Sequence, residues 1–298
     1  MVLGGLEAGG TKMICMIGND LGEIFVRESF STLSPEDTIP TLIHFFEAQR
    51  QAGYAIEALG IASFGPVCLD PNDPFWGHIT TTPKLPWRFV NLMGKFSEAL
   101  RIPIGFDTDV NAAALAEAEL GAAKGLDSCV YFTVGTGIGG GVYVDGKLVH
   151  GLVHPEVGHI LMRAHPDDPA PNGFCPYHVG CLEGAANGPS IAQRWGRPAH
   201  ELPPDHPAWA LEAYYLAQAC VSVILTVSPR KIVLGGGVMH QQHLFPMIHA
   251  EVLRLLGGYV QHEQILKNIA DFIVPPGLGD NAGGVGALML ALRALAAH

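Results

Sequence analysis

The sequence predicts an α/β fold made of a duplicated unit, with a cleft between the two copies, on three observations. Short apolar strands alternate with helical segments along most of the 298 residues. A three-strand meander with a Gly-rich first turn opens the chain. A meander of the same order and turn placement begins again at Ser128. Two unrelated Gly-rich hairpins are the competing account. At roughly 100 to 200 residues per domain, the length suits two domains or one large one.

The first meander reads as strands Leu3 to Ala8, Met13 to Gly18 and Glu23 to Phe30, with Gly9-Gly10 and Asn19 to Gly22 as the turns. Pro35 to Gln51 carries apolar residues near helical spacing, with Pro35 in the first turn. A buried strand Leu59 to Phe64 follows. Gly65 to Trp87, rich in Pro, Gly, Thr and Asp, reads as one long loop. A helix Phe89 to Leu100, a strand Ile104 to Asp107 and an Ala-rich helix Val110 to Ala123 continue the alternation. The second meander comprises Cys129 to Val134, a strand ending at Val144, and Lys147 to Val149. Residues 155 to 207 lack a period and read as irregular. The remaining elements are a helix Pro207 to Val227, a strand Lys231 to Leu234, a helix Leu244 to Leu256, a strand Asp271 to Val274 and a helix Asn281 to Ala297.

Composition narrows the function. A net charge of −11 opposes binding to phosphate backbones and anionic lipid, so no nucleic acid partner is expected. The apolar stretch Leu216 to Val227 is interrupted by Gln218 and Ser222 and is shorter than the roughly 20 residues of a spanning helix, so no membrane partner is expected either. Glu7 and Lys12 interrupt any leader-like apolar run. Six scattered cysteines, with only Cys175 and Cys181 close together, suggest a reducing, cytoplasmic setting.

Three groups of residues carry chemistry. Gly-rich turns follow strands at Gly9-Gly10-Thr11-Lys12, at Gly135 to Gly141 and at Gly235-Gly236-Gly237. Glycine lets backbone amides approach phosphate oxygens, and a Thr hydroxyl or Lys ammonium completes an anion cradle. One such turn is ordinarily a plain hairpin, but three favour a nucleotide. Asp109 follows a strand and precedes a helix, where a carboxylate can accept a hydroxyl proton during phosphoryl transfer or simply cap the helix. His159, Cys175, His178 and Cys181 offer two imidazoles and two thiolates, a closed tetrahedral zinc set for a segment with little core of its own. The other histidines show no ligand spacing and read as ordinary.

Taken in order, Glu7 to Lys12, Thr108 to Ala114, the Gly135 to Gly141 turn, His154 to His159, Cys175 to Glu183 and Leu234 to Val238 resemble the motifs of ROK-family sugar kinases over nearly the whole chain. The Cys-Pro-Tyr-His run at 175–178 and Ile79 to Lys84, with Trp87, are most similar to the zinc-containing fructokinases of that family. The resemblance implies an actin-like, ribonuclease H-like fold of two lobes. The first comprises residues 1–115 completed by the helix 282–298, and the second comprises 116–281 with a zinc-binding loop at 155–183. It implies MgATP-dependent phosphorylation of D-fructose by a homodimer, with Asp109 as the base and Gly65, Thr108, Asp109, Glu156 and Glu183 at the sugar. Gly10, Thr11, Lys12, Thr136, Gly137, Pro189, Gly235, Gly236 and Gly237 would contact ATP, with magnesium, while the zinc is structural.

Three residues depart from the family pattern. Glu7 replaces the usual Asp near the phosphates, Thr108 replaces the Asn of glucose-phosphorylating relatives, and His178 replaces a Cys ligand. A broader hexokinase acting on mannose, glucose or N-acetylmannosamine, or a sugar sensor without turnover, are the alternatives.

Overall fold

The computed structural model describes residues 1–297. Its contacts divide the chain into two compact units, one made of 1–121, 148–155 and the segment from 281 onward, the other of 122–147 and 156–280. The expected boundaries left 148–155 in the second lobe. The structure instead packs that stretch with the first unit.

In the first unit, β1 (Leu3–Ala8), β2 (Lys12–Gly18), β3 (Ile24–Ser31), β4 (Ala58–Ser63) and β5 (Ile104–Thr108) form one sheet in the order β3-β2-β1-β4-β5. β1 pairs antiparallel with β2 and parallel with β4, and β4 pairs parallel with β5. The helices are α1 (Pro35–Gln51), α2 (Leu92–Leu100) and α3 (Asp109–Glu119). α1 begins where the sequence predicts: Ser34 Oγ accepts the Asp37 N–H at 3.2 Å and Pro35 fills the first turn. α2 starts later than predicted, because Phe89 adopts a left-handed φ of 57° and Asn91 caps the helix. Leu6, Met13, Leu42, Phe46, Trp87 and Phe96 are fully or almost fully buried in one core. Each such side chain contributes about 1.5–3 kcal/mol of burial energy.

In the second unit, β6 (Ser128–Val134), β7 (Ile138–Val144), β8 (Lys147–Leu148), β9 (Ile232–Gly235) and β10 (Ile273–Val274) are ordered β10-β9-β6-β7-β8. Counted from its own first strand, this is the strand order of the first sheet. β6 pairs antiparallel with β7 and parallel with β9, as β1 does with β2 and β4. The segment expected to be irregular contains two short helices, α4 (Leu182–Ala186) and α5 (Gly188–Trp195). They are too short to show a period and are recognisable only by their caps, Cys181 and Asn187. α6 (Ala208–Thr226), α7 (Leu244–Leu256), α8 (Glu263–Leu266) and α9 (Ile269–Phe272) follow. α6 is long and apolar enough to cross a membrane, against the sequence expectation, but two-thirds of its 18-residue apolar window is buried inside the protein, as in a core helix.

α10 (Ala282–Ala296) returns to the first unit and packs on β1, β4, β5 and α3. The approach is close because the strands offer glycine: a Cβ on Gly60 would lie 1.8 Å from the Ala287 carbonyl oxygen, and one on Gly105 2.2 Å from that of Leu290.

Candidate active site

The residues singled out in the sequence fall into two groups, one in each unit. In the first, the C-terminal end of β5 runs into α3, the place where parallel sheets commonly carry reactive groups. Thr108, 3% exposed, is the cap: its Oγ1 accepts the Asn111 N–H at 3.1 Å. Asp109 is therefore the first helical residue rather than the cap, with Oδ1 accepting the Val110 N–H at 2.9 Å. Behind it, the buried Asp107 Oδ1 accepts from Thr108 N–H and Asn111 Nδ2, each at 2.7 Å, and its Oδ2 faces His150 Nε2 at 2.8 Å. The Asp107 hydrogen bond raises the His150 pKa, and burial opposes the rise.

Gly65 precedes Pro66 and Val67 at the end of β4, and the Val67 N–H donates to His154 Nε2 at 3.1 Å. His154 is 5% exposed and burial lowers its pKa. Its Nε2 is thus an acceptor, which places the proton on Nδ1. The sequence carries no local sign of either contact, because the partner of each histidine lies far away in the chain.

The turn between β1 and β2 closes through Gly9 N–H to Lys12 carbonyl, 3.1 Å, leaving Gly10, Thr11 and Lys12 at its tip. Thr32 braces it, donating from Oγ1 to Gly9 O at 2.8 Å and from its N–H to Thr11 O at 3.0 Å. Glu7 packs on α10, where a Cβ on Gly283 would come within 2.8 Å of its Oε1. Burial raises the Glu7 pKa, against the attraction of Arg27 and Lys12.

In the second unit, the turn between β6 and β7 carries Thr136 and Gly137. Asn187 Nδ2 donates to Thr136 O at 3.0 Å and the Gly188 N–H to Gly135 O at 2.8 Å, which docks the Gly188-Pro189 start of α5 on that turn. Gly236 holds a left-handed φ of 90° against Val134, so the Gly235 to Gly237 turn follows β9 tightly. Glu183 lies beside the same Gly137 turn: its Oε2 accepts the Ile138 N–H at 2.9 Å, and a Cβ on Gly137 would lie 2.8 Å from that oxygen. Glu156 is open to solvent on one side and crowded on the others. That crowding, then the Glu183 charge, pushes its pKa up to about 7.

The donor atoms of His159, Cys175, His178 and Cys181 all lie within 4.8 Å of one another. Cys175 Sγ is 4.0 Å from His159 Nδ1 and 3.7 Å from His178 Nδ1, and Cys181 Sγ is 3.7 Å from His159 Nδ1. Sulfur and nitrogen around tetrahedral zinc stand about 3.6 Å apart, so the donor set and its spacing fit that ion. Cys181 also caps α4, which carries Glu183. The loop before the cluster is held by a buried pair the sequence reading missed. Arg194 Nε and Nη2 bond Asp168 at 2.9 and 3.3 Å, and Tyr215 Oη donates to Asp168 Oδ2 at 2.5 Å.

Comparison with known proteins agrees with this architecture. The structure matches that of a ROK hexokinase from Thermus thermophilus with a TM-score of 0.79 at 29% identity, covering 100% of both chains. Two sheets of one strand order and this likeness define the duplicated actin-like, ribonuclease H-like fold. The chain belongs to the ROK family, whose profile matches residues 3–294. It is 45% identical over 297 residues to a fructokinase of Zymomonas mobilis, covering 98% of this chain and 97% of that one. It is 40% identical over 295 residues to a fructokinase of Pediococcus pentosaceus, covering 99% of each.

Proposed function

We propose that this protein is an ATP-dependent fructokinase, transferring the γ-phosphoryl group of MgATP to D-fructose and releasing D-fructose 6-phosphate and ADP. The observation that carries the reading is the division of labour at the head of α3. Thr108 supplies the cap, and Asp109, one oxygen of which takes the Val110 N–H, stands as the first residue of α3 directly beyond the C-terminal end of β5. The fructokinase relatives support the choice of sugar.

In this reading the sugar hydroxyl oxygen forms a bond to the γ-phosphorus as the bond to the β,γ-bridging oxygen breaks. The hydroxyl proton passes to Asp109, and the electron pair of the broken bond leaves with ADP. Gly65, Thr108, Glu156 and Glu183 position the sugar. Since Glu183 Oε2 holds the Ile138 N–H, the reading assigns its Oε1 to the substrate. Gly10, Thr11 and Lys12, Thr136 and Gly137, Pro189 and Gly235 to Gly237 receive the nucleotide. Magnesium bound with ATP would supply positive charge against the phosphate oxygens. His159, Cys175, His178 and Cys181 would hold a structural zinc, with all four of its positions taken by protein, and so fix the loop and α4, and through them Glu183. A homodimer in the cytoplasm completes the reading.

A coupled ADP-release assay with MgATP and fructose, mannose, glucose or N-acetylmannosamine tests it. A clear preference for fructose is expected. Turnover spread evenly over the hexoses overturns the specificity, and sugar binding without any ADP release overturns the kinase.

A further inference from the structure

We propose that Lys84 binds the phosphoryl group in transfer, as a second cation at the turn between β1 and β2; this rests on the kinase reading above. The starting point is Gly10. Its φ is not among the left-handed glycines of the chain, so backbone conformation does not require glycine there. Space does. A Cβ on Gly10 would lie 2.9 Å from Lys84 Cε and 3.8 Å from its Cδ, so the lysine stem lies across Gly10 and the ammonium sits one bond further on.

The lysine is held in that place. The Lys84 carbonyl accepts the Trp87 N–H at 2.9 Å, and Trp87, 2% exposed, donates from Nε1 to Leu33 O at 2.9 Å. Leu33 adjoins Thr32, the residue that braces Gly9 and Thr11. Thr82, 1% exposed, takes the Lys84 N–H at 3.4 Å, and its carbonyl accepts Arg88 Nε at 2.7 Å. The turn is thus anchored to Thr32 and the segment that carries Lys84 to the adjacent Leu33, just after β3.

Charge then decides what the ammonium does. Lys12, on the same turn, has Glu7 as an electrostatic neighbour. Lys84 is half-buried and has no carboxylate within ion-pair distance and no side-chain hydrogen-bond partner among the described residues. A partly desolvated cation beside a glycine turn is complementary to phosphoryl oxygens, whose charge grows and spreads in the transition state. The terminal phosphate of ATP and the phosphate of a sugar product share this chemistry. The proposal commits to the terminal phosphate, the group being transferred.

The test compares the intact protein with Lys84→Met and Lys84→Arg, measuring calorimetric affinities for AMPPNP and for ADP, together with kcat and KM for fructose and MgATP. Lys84→Met is expected to lower kcat by at least about tenfold, on the scale of a lost transition-state donor. It should weaken AMPPNP severalfold while leaving ADP, fructose 6-phosphate affinity and the melting temperature unchanged, since methionine keeps the stem over Gly10. Lys84→Arg should recover most of the loss. Equal weakening of AMPPNP and ADP, selective loss of fructose 6-phosphate binding, or kcat within twofold of the parent would overturn the assignment. The nucleotide-binding comparison needs no turnover. Failure of the kinase reading would show separately, as no ADP from the parent protein with any hexose.

Discussion

His150 Nε2 stands 2.8 Å from Asp107 Oδ2, joining residues 43 apart in the sequence beneath the turn that carries Asp109. The histidine side chain is 43% exposed and the aspartate 3%, so the pair is buried on one side and wet on the other. Asp107 raises the His150 pKa above its ordinary 6.5. His154, which feels the charges of both Asp107 and His150, has its pKa lowered by burial. A base whose folded pKa is raised stabilises the fold fully below its unfolded pKa, and that contribution is lost as pH rises through the folded pKa. The melting temperature of the parent should therefore exceed that of His150→Gln at pH 5.5, with the gap closing by pH 9. A gap independent of pH would make the contact one of packing alone.

Asp109→Asn should lower kcat by at least about a hundredfold, the scale for an acid or base group. The substitution leaves the Thr108 cap in place, so the melting temperature should stay within a degree or two. Steady-state kinetics with fructose decide it, and near-normal turnover would remove Asp109 from the mechanism.

Thr108 separates stability from specificity. Thr108→Ala removes the oxygen that accepts the Asn111 N–H and should cost about 0.5–2 kcal/mol in urea unfolding. Thr108→Asn keeps a capping oxygen and should unfold like the parent. It should shift kcat/KM toward glucose relative to fructose, and unchanged ratios would exclude Thr108 from sugar choice.

Among the described residues, Arg194 is the one cation bonded to the buried Asp168, and it lies near the buried Glu212, whose pKa burial raises. Arg194→Met should cost about 3–5 kcal/mol, because it leaves buried acids without their counter-charge. Tyr215→Phe, which removes one hydrogen bond to a charged group, should cost about 1.5–3 kcal/mol. Urea unfolding of the two variants gives the order.

Elemental analysis of protein purified without chelator should give about one zinc per chain, and Cys175→Ser should bind it far more weakly. Stripping the metal should lower the melting temperature and raise KM for the sugar more than KM for ATP, because Cys181 caps α4, the helix that carries Glu183. Protein with well under one zinc per chain, and no response to added zinc, would refute the site.

The duplicated strand order was legible in the sequence because both meanders carry their turns as glycine runs, and the ends of α1 because Ser34 and Pro35 mark the start. The His159, Cys175, His178 and Cys181 cluster was legible because three of the four sit within seven residues of one another, at positions 175, 178 and 181. What stayed hidden is long-range. No local pattern joins Asp107 to His150, Val67 to His154, or Asp168 to Arg194 and Tyr215. Lys84 lay inside a segment read as loop, and its place over Gly10 depends on the Trp87 and Thr82 anchors.

The packing of α10 on β1, β4, β5 and α3 has a consequence during synthesis. The first sheet is complete once Thr108 has been made, yet the helix that covers one of its faces begins at Ala282. At ribosomal rates of about 5–20 residues per second, roughly nine to thirty-five seconds pass between the synthesis of Thr108 and that of Ala282, while the second unit is made. Gly60 and Gly105 offer little side chain to stick to other chains in that interval, so the glycines that later admit α10 also make the waiting surface less adhesive.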